Sequence, residues 1–77
     1  MAAHQLDTQG LLCPMPVIKT QDRIKQLTPG DTLTVTASDP GVMHDIPSWC
    51  RINGHKVIGK HQEGRLFEIC IEVGDDS

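Results

Sequence analysis

Aromatic residues are almost missing from this chain: its 77 residues include one Trp, one Phe and no Tyr. Stacking platforms for single-stranded nucleic acid are therefore lacking, and any core must come from Leu, Ile, Val and Ala. A basic excess is lacking too. Seven Lys and Arg stand against ten Asp and Glu, a formal charge of −3. Glu72, Asp75 and Asp76 account for that difference, and this balance argues against direct nucleic-acid binding. No apolar run approaches the ~20 residues that span a bilayer, so no membrane association is expected. The opening Met1-Ala2-Ala3-His4-Gln5 has neither a basic nor an apolar leader region, from which a cytoplasmic protein without a signal peptide is expected. Cysteine is scarce and odd in number, at three. That excludes a dense disulfide scaffold and points to free thiols in a reducing compartment. Internal repeats and low-complexity stretches are absent. The expectation is one domain over 1–77, with 74–77 as a frayed, disordered acidic tail.

What is present reads as alternating strands and helices. A first strand is expected over about His4–Thr8, with Leu6 pointing inward. Gln9-Gly10 turns the chain, and Leu11-Leu12 lead into Cys13-Pro14-Met15-Pro16. Two prolines one residue apart fit the first turn of a helix, where backbone N–H groups have no intrahelical partner. That helix is expected over Pro14–Leu27, with Val17, Ile24 and Leu27 inside and Ile18 at the edge. Thr28-Pro29-Gly30-Asp31 stops it. Leu33, Val35 and Ala37 alternate with Thr32, Thr34 and Thr36, the period of a half-buried strand. Ser38-Asp39-Pro40-Gly41 forms a turn. A short second helix is expected over Ile46–Asn53, capped by Asp45, with Pro47 in its first turn. A hairpin closes the chain. Its third strand is His55–Lys60, with Val57 and Gly59 on one face and Ile58 on the other. Its fourth is Leu66–Val73, with Phe67, Ile69, Ile71 and Val73 inward. The order β-α-β-α-β-β predicts a two-layer α/β (α+β) sandwich on a four-stranded mixed sheet, with the first two strands parallel.

Cys13 stands immediately before the first helix. A helix N-terminus favours an anion, which is expected to draw this thiol below its ordinary value of ~8.5. Pro14 and Pro16 leave few free N–H donors there, Met15 and Val17 among them, to serve a sulfur anion. Position and spacing alone divide evenly between a reactive thiol and a small loop-filling hydrophobe. Asp39 ends the second strand. In a parallel pair its C-terminal edge coincides with that of the first strand, so topology delivers Asp39 beside Cys13, where crevices form in α/β sheets. Its plainer reading is an Asx-turn residue before Pro40. Cys50 shares a helix face with Ile46 and Trp49 and is expected in the core; Cys70 falls on an outward strand face. The four His and three Cys show no metal-ligand spacing, so neither a metal nor a cofactor is expected. Lys19, Arg23 and Lys25 form a mild basic strip next to Cys13, either a solvated face or a docking aid.

Leu6-Asp7-Thr8-Gln9-Gly10-Leu11-Leu12-Cys13-Pro14-Met15-Pro16-Val17 resembles the LDxxGLxCPxPV signature of the TusA (SirA, YedF) sulfur-carrier family. Pro29-Gly30-Asp31-Thr32-Leu33, Ser38-Asp39-Pro40, Asp45-Ile46-Pro47-Ser48-Trp49-Cys50 and Gly54-His55 continue the match in register. The resemblance covers about residues 4 to 73 and implies the same two-layer fold. It implies that Cys13 carries sulfane sulfur as a persulfide, with Pro14, Pro16 and Asp39 supporting it. The implied donor is a cysteine desulfurase or a rhodanese-type protein. The implied acceptor is a downstream protein thiol, in tRNA thiolation, molybdenum cofactor assembly or sulfur oxidation. A monomer acting as a sulfurtransferase-type carrier without independent turnover is the corresponding expectation. Leu12 stands where several relatives have Arg, and Ser38 where an acidic pair is common, so charge is removed from the site's rim. Two other classes remain open: a redox-sensing or regulatory domain, and a small RNA-binding domain, each with Cys13 not persulfurated.

Overall fold

Alternation decides the centre of the molecule. In Thr32–Ala37 (β2) every second residue is buried: Leu33, Val35 and Ala37. Leu66–Glu72 (β4) repeats the pattern with Phe67, Ile69 and Ile71. These two strands lie side by side and antiparallel, with Val35 opposite Ile69. Ala3–Thr8 (β1) flanks β2 in parallel, with Leu6 beside Val35. Lys56–Glu63 (β3) flanks β4. The sheet order is β1-β2-β4-β3. This computed structural model describes residues 2–74; the expected tail beyond Gly74 lies outside the described residues.

Two helices cover the apolar face of the sheet. Met15–Ile24 (α1) buries Pro16, Thr20 and Ile24, a four-residue spacing that keeps one side inward. Thr20 satisfies its buried hydroxyl by donating to the Pro16 carbonyl at 2.8 Å. Val42–Ile52 (α2) buries Val42, Ile46 and Cys50 by the same rule. Together with Leu33, Val35, Ala37, Phe67, Ile69, Ile71 and Val73 they form one core. The outer sheet face carries Thr32, Thr34, Thr36, Glu68, Cys70 and Glu72. The expected fold class and element order are both present.

Local differences have physical causes. α1 ends at Ile24 rather than Leu27; Gln26 and Leu27 donate instead to Arg23 and Ile24 in tight three-residue turns. α2 starts four residues before the expected Ile46, so Asp45 is not its cap and Pro47 lies inside it. Gly41 holds the N-cap position with no side-chain cap; Asp39 closes the turn before it, its Oδ1 accepting the Gly41 N–H at 3.0 Å and its carbonyl the Val42 N–H at 3.2 Å. β3 runs on to Glu63 and is irregular between Val57 and Gly59. Val57 therefore pairs with inward Ile71 while Gly59 pairs with outward Cys70, and the two lie on opposite faces, not one. Gly74, expected to begin the frayed tail, donates its N–H to His55 Nδ1 at 3.0 Å. Trp49 is partly buried against the core and stacks on His55, ring centroids 5.2 Å apart.

Candidate thiol site at the parallel strand edge

Parallel pairing carries the chain ends of β1 and β2 to the same edge of the sheet, and the two following loops are tied together there. Thr8 is fully buried and donates its hydroxyl to the Thr36 carbonyl at 2.8 Å, which pins the strand ends. Gly10 takes the turn with a φ of 83° and donates its N–H to Ser38 Oγ at 2.9 Å. Cys13 donates its backbone N–H to Asp39 Oδ2 at 2.9 Å. Asp39 thus does both things read from the sequence. One carboxylate oxygen closes its own turn through Gly41, and the other holds the Cys13 loop.

Cys13 is exposed; it precedes Pro14, which caps α1. The two prolines occupy the helix start as expected, with Pro14 exposed and Pro16 buried. The Cys13–Pro14 peptide is cis. The Met15 N–H is not free for a sulfur anion, since it donates to the Leu12 carbonyl at 2.9 Å.

Asp45 is the residue that sequence reasoning missed. Its Oδ2 accepts the Cys13 thiol, Sγ to oxygen 3.1 Å. With α2 beginning at Val42, Asp45 falls in the helix's first turn, at the edge where Cys13 emerges. Only a correct helix start could have revealed this placement from the sequence. The electrostatics differ from the expectation as well. The hydrogen bond to Asp45 raises the Cys13 thiol above its ordinary value, with desolvation and the negative charges of Asp45 and Asp39 adding to the effect. The nearby carboxylates favour the neutral thiol and oppose the drop expected from the helix N-terminus.

Neither remaining cysteine joins this edge. Cys50 is buried in the core, and burial pushes its thiol up to about 11. Cys70 is half-buried on the outer sheet face beside the Thr34 hydroxyl. All three are unpaired. Among the described residues, no group of three or more His, Cys, Asp or Glu is placed to hold a metal ion. No described helix is long and apolar enough to cross a membrane. A cavity of about 200 Å³ lined by Ile24, Leu27, His55 and Val73, among others, shares no residue with the Cys13 edge. Leu12 and Met15, on either side of Cys13-Pro14 in the chain, are exposed, at 74% and 38%, as is Ile18 further along α1.

A two-layer β-α-β-α-β-β domain presenting one exposed thiol between a parallel strand edge and a helix start defines a class of small cysteine-presenting α+β proteins. The comparisons place it further. Residues 4–73 match the family described as sulfurtransferase TusA, and the chain belongs to that family. It is 37% identical over 71 residues to the "Putative sulfur carrier protein YrkF" of Bacillus subtilis (strain 168). That alignment takes in 92% of this chain but 38% of the relative, so the chain spans well under half of YrkF's length. The fold is that of a SirA-like protein from Desulfitobacterium hafniense, whose crystal structure superposes with a TM-score of 0.81 at 19% identity. That superposition covers 94% of this chain and 99% of the other.

Proposed function

We propose that the chain is a single-domain, monomeric cytoplasmic sulfur carrier whose working residue is Cys13. Cys13 accepts sulfane sulfur as a persulfide from a cysteine desulfurase or rhodanese-type donor and passes it to an acceptor protein thiol. The observation that carries this reading is the placement of the one exposed cysteine on a braced edge, inside the stretch that matches the sulfurtransferase family. In the transfer, Cys13 Sγ loses its proton and attacks the outer sulfur of the donor persulfide. A new S–S bond forms, the donor's S–S bond breaks, and the donor leaves as a thiolate. Sulfur moves without net oxidation, so no cofactor is required. The second transfer repeats the step with the acceptor thiol as nucleophile and Cys13 as leaving group. The chain supplies no turnover of its own; it moves one atom between partners. tRNA thiolation, molybdenum cofactor assembly and sulfur oxidation all consume sulfur in this form.

Two alternatives fit less well. A redox sensor commonly pairs its reactive thiol with a neighbouring resolving cysteine, and neither Cys50, in the core, nor Cys70, on the outer sheet face, stands beside Cys13. An RNA phosphate would meet the carboxylates of Asp45 and Asp39. The relay is tested by loading the protein with sulfur from a desulfurase, separating it from the donor, and mixing it with a thiol-bearing acceptor protein. Stoichiometric loss of sulfur to the acceptor is expected. A loaded Cys13 that yields sulfur only to small reductants, never to a protein thiol, would refute the carrier role.

A further inference from the structure

Cys13 is surrounded by negative charge from two separate elements. Asp45, on the first turn of α2, accepts the thiol at 3.1 Å. Asp39, in the loop after β2, accepts the backbone N–H of the same residue at 2.9 Å. The two carboxylates converge on Gly41, where a Cβ would stand 3.4 Å from Asp39 Oδ1 and 3.6 Å from Asp45 Oδ2. Among the described residues, neither forms an ion pair; the two pairs present are His4–Asp31 and His61–Glu63. Asp45 and Asp39 are the charged groups that act on Sγ, and both favour the protonated sulfur. Yet the proposed reaction needs an anion at this point, first as thiolate and then as persulfide.

We propose that Asp45 keeps Cys13 a protected thiol in the free protein and admits, as sulfur-exchange partners, proteins that bring a cationic side chain against it. The second half rests on the carrier reading; the first does not. A partner Lys or Arg paired with the Asp45 carboxylate takes up the lone pair that now holds the thiol hydrogen. The thiol proton then leaves to water, and the partner's cation offsets the sulfur anion that remains. Leu12 and Met15, exposed within two residues of Cys13 in the chain, offer apolar contact to the same partner. Docking that excludes water from the carboxylate would strengthen the pairing. Asp45 touches the reacting atom and gates the exchange. Asp39, which reaches Cys13 only through its backbone, is a positioning residue.

The experiment uses three methanethiosulfonate reagents with the same reactive head: one bearing a trimethylammonium group, one a sulfonate, one neutral. Modification of Cys13 in the folded protein is followed by peptide mass, which separates it from Cys70. Wild type should react severalfold faster with the cationic reagent than with the anionic one at low salt. That difference should close as salt shortens the screening length below the ~10 Å of 0.1 M solution. Asp45→Asn should react faster than wild type with the neutral reagent at pH 7, with a lower pH midpoint, and its charge preference should shrink. Asp45→Glu should restore the preference in part. A merely structural Asp45 would shift the thermal midpoint and leave the pH midpoint and the charge preference unchanged, which would overturn the proposal. Should Asp45→Asn fold poorly, wild type alone decides: equal rates with the two charged reagents at low salt would overturn it too. Sulfur loading plays no part in these rates, so a failure of the carrier reading would show elsewhere and leave this test intact.

Discussion

Asp31 is buried at the start of β2 and holds three separate groups. Its Oδ1 accepts the Ala2 N–H at 3.0 Å, and its Oδ2 accepts both the N–H and the hydroxyl of Thr28 at 3.1 Å. The backbone hydrogen bonds from Thr28 and Ala2 lower this carboxyl from the usual 3.8 to about 2. A carboxyl depressed by folding stabilises the fold above its unfolded value, and that contribution is lost as pH falls through the folded value. Stability should therefore decline as pH drops from about 4 to about 2. Asp31→Asn should flatten that decline in acid-unfolding curves; a variant curve parallel to wild type would show that the acid sensitivity lies elsewhere. Asp39 is the second informative residue. The Cys13 and Gly41 N–H groups sit on different oxygens of Asp39, so in Asn one of them faces an NH2 donor instead of an acceptor. Asp39→Asn should thus release the Cys13 loop at a modest cost, on the order of 0.5–1.5 kcal/mol for one lost hydrogen bond. Sulfur transfer should slow while the thermal midpoint shifts little. A large fall in midpoint with unchanged transfer would make Asp39 a turn residue and nothing more.

At the scale of elements, α2 matters most, because one of its faces meets Cys13 and the other packs in the core. Asp45 looks toward Cys13, while Val42, Ile46 and Cys50 point into the core. Thiol labelling of the native protein should therefore reach Cys13 and spare Cys50, whose reaction should await unfolding. Equal labelling rates would contradict the packed inner face. Cys50→Ser should cost about 1–3 kcal/mol by burying a hydroxyl without a partner. β2 and β4 were legible in the sequence because strict alternation leaves one register that buries all the apolar residues. The start of α2 was not. Asp45-Ile46-Pro47 looks like a helix entrance, whereas the real entrance is at Gly41, which has no side-chain cap and follows the turn that Asp39 closes. The irregularity in β3 was equally hidden, since a bulge shifts register without changing composition.

Across the whole molecule, the Cα radius of gyration is 11.2 Å, close to the ~11.5 Å of a compact chain of this length. The sheet's topology positions the candidate site. Because β1 and β2 run parallel, Cys13 and Asp39 reach one edge although they lie 26 residues apart. That juxtaposition could be read from strand order alone. The polarity of the site could not. The helix N-terminus, visible in sequence, suggested an activated thiol, while the opposing carboxylate of Asp45 depended on where a neighbouring helix begins. Helix dipoles act weakly at exposed termini, so a direct hydrogen bond to a carboxylate prevails. The central claim remains that Cys13 holds the carried sulfur. It is tested most directly by the intact mass of the protein after incubation with a cysteine desulfurase and cysteine. Wild type, Cys50→Ser and Cys70→Ser should each gain one sulfur, about 32 Da, removable by reductant, and Cys13→Ser should gain none. Normal loading of Cys13→Ser, or wild type that takes sulfur neither from a desulfurase nor from a rhodanese-type donor, would contradict it.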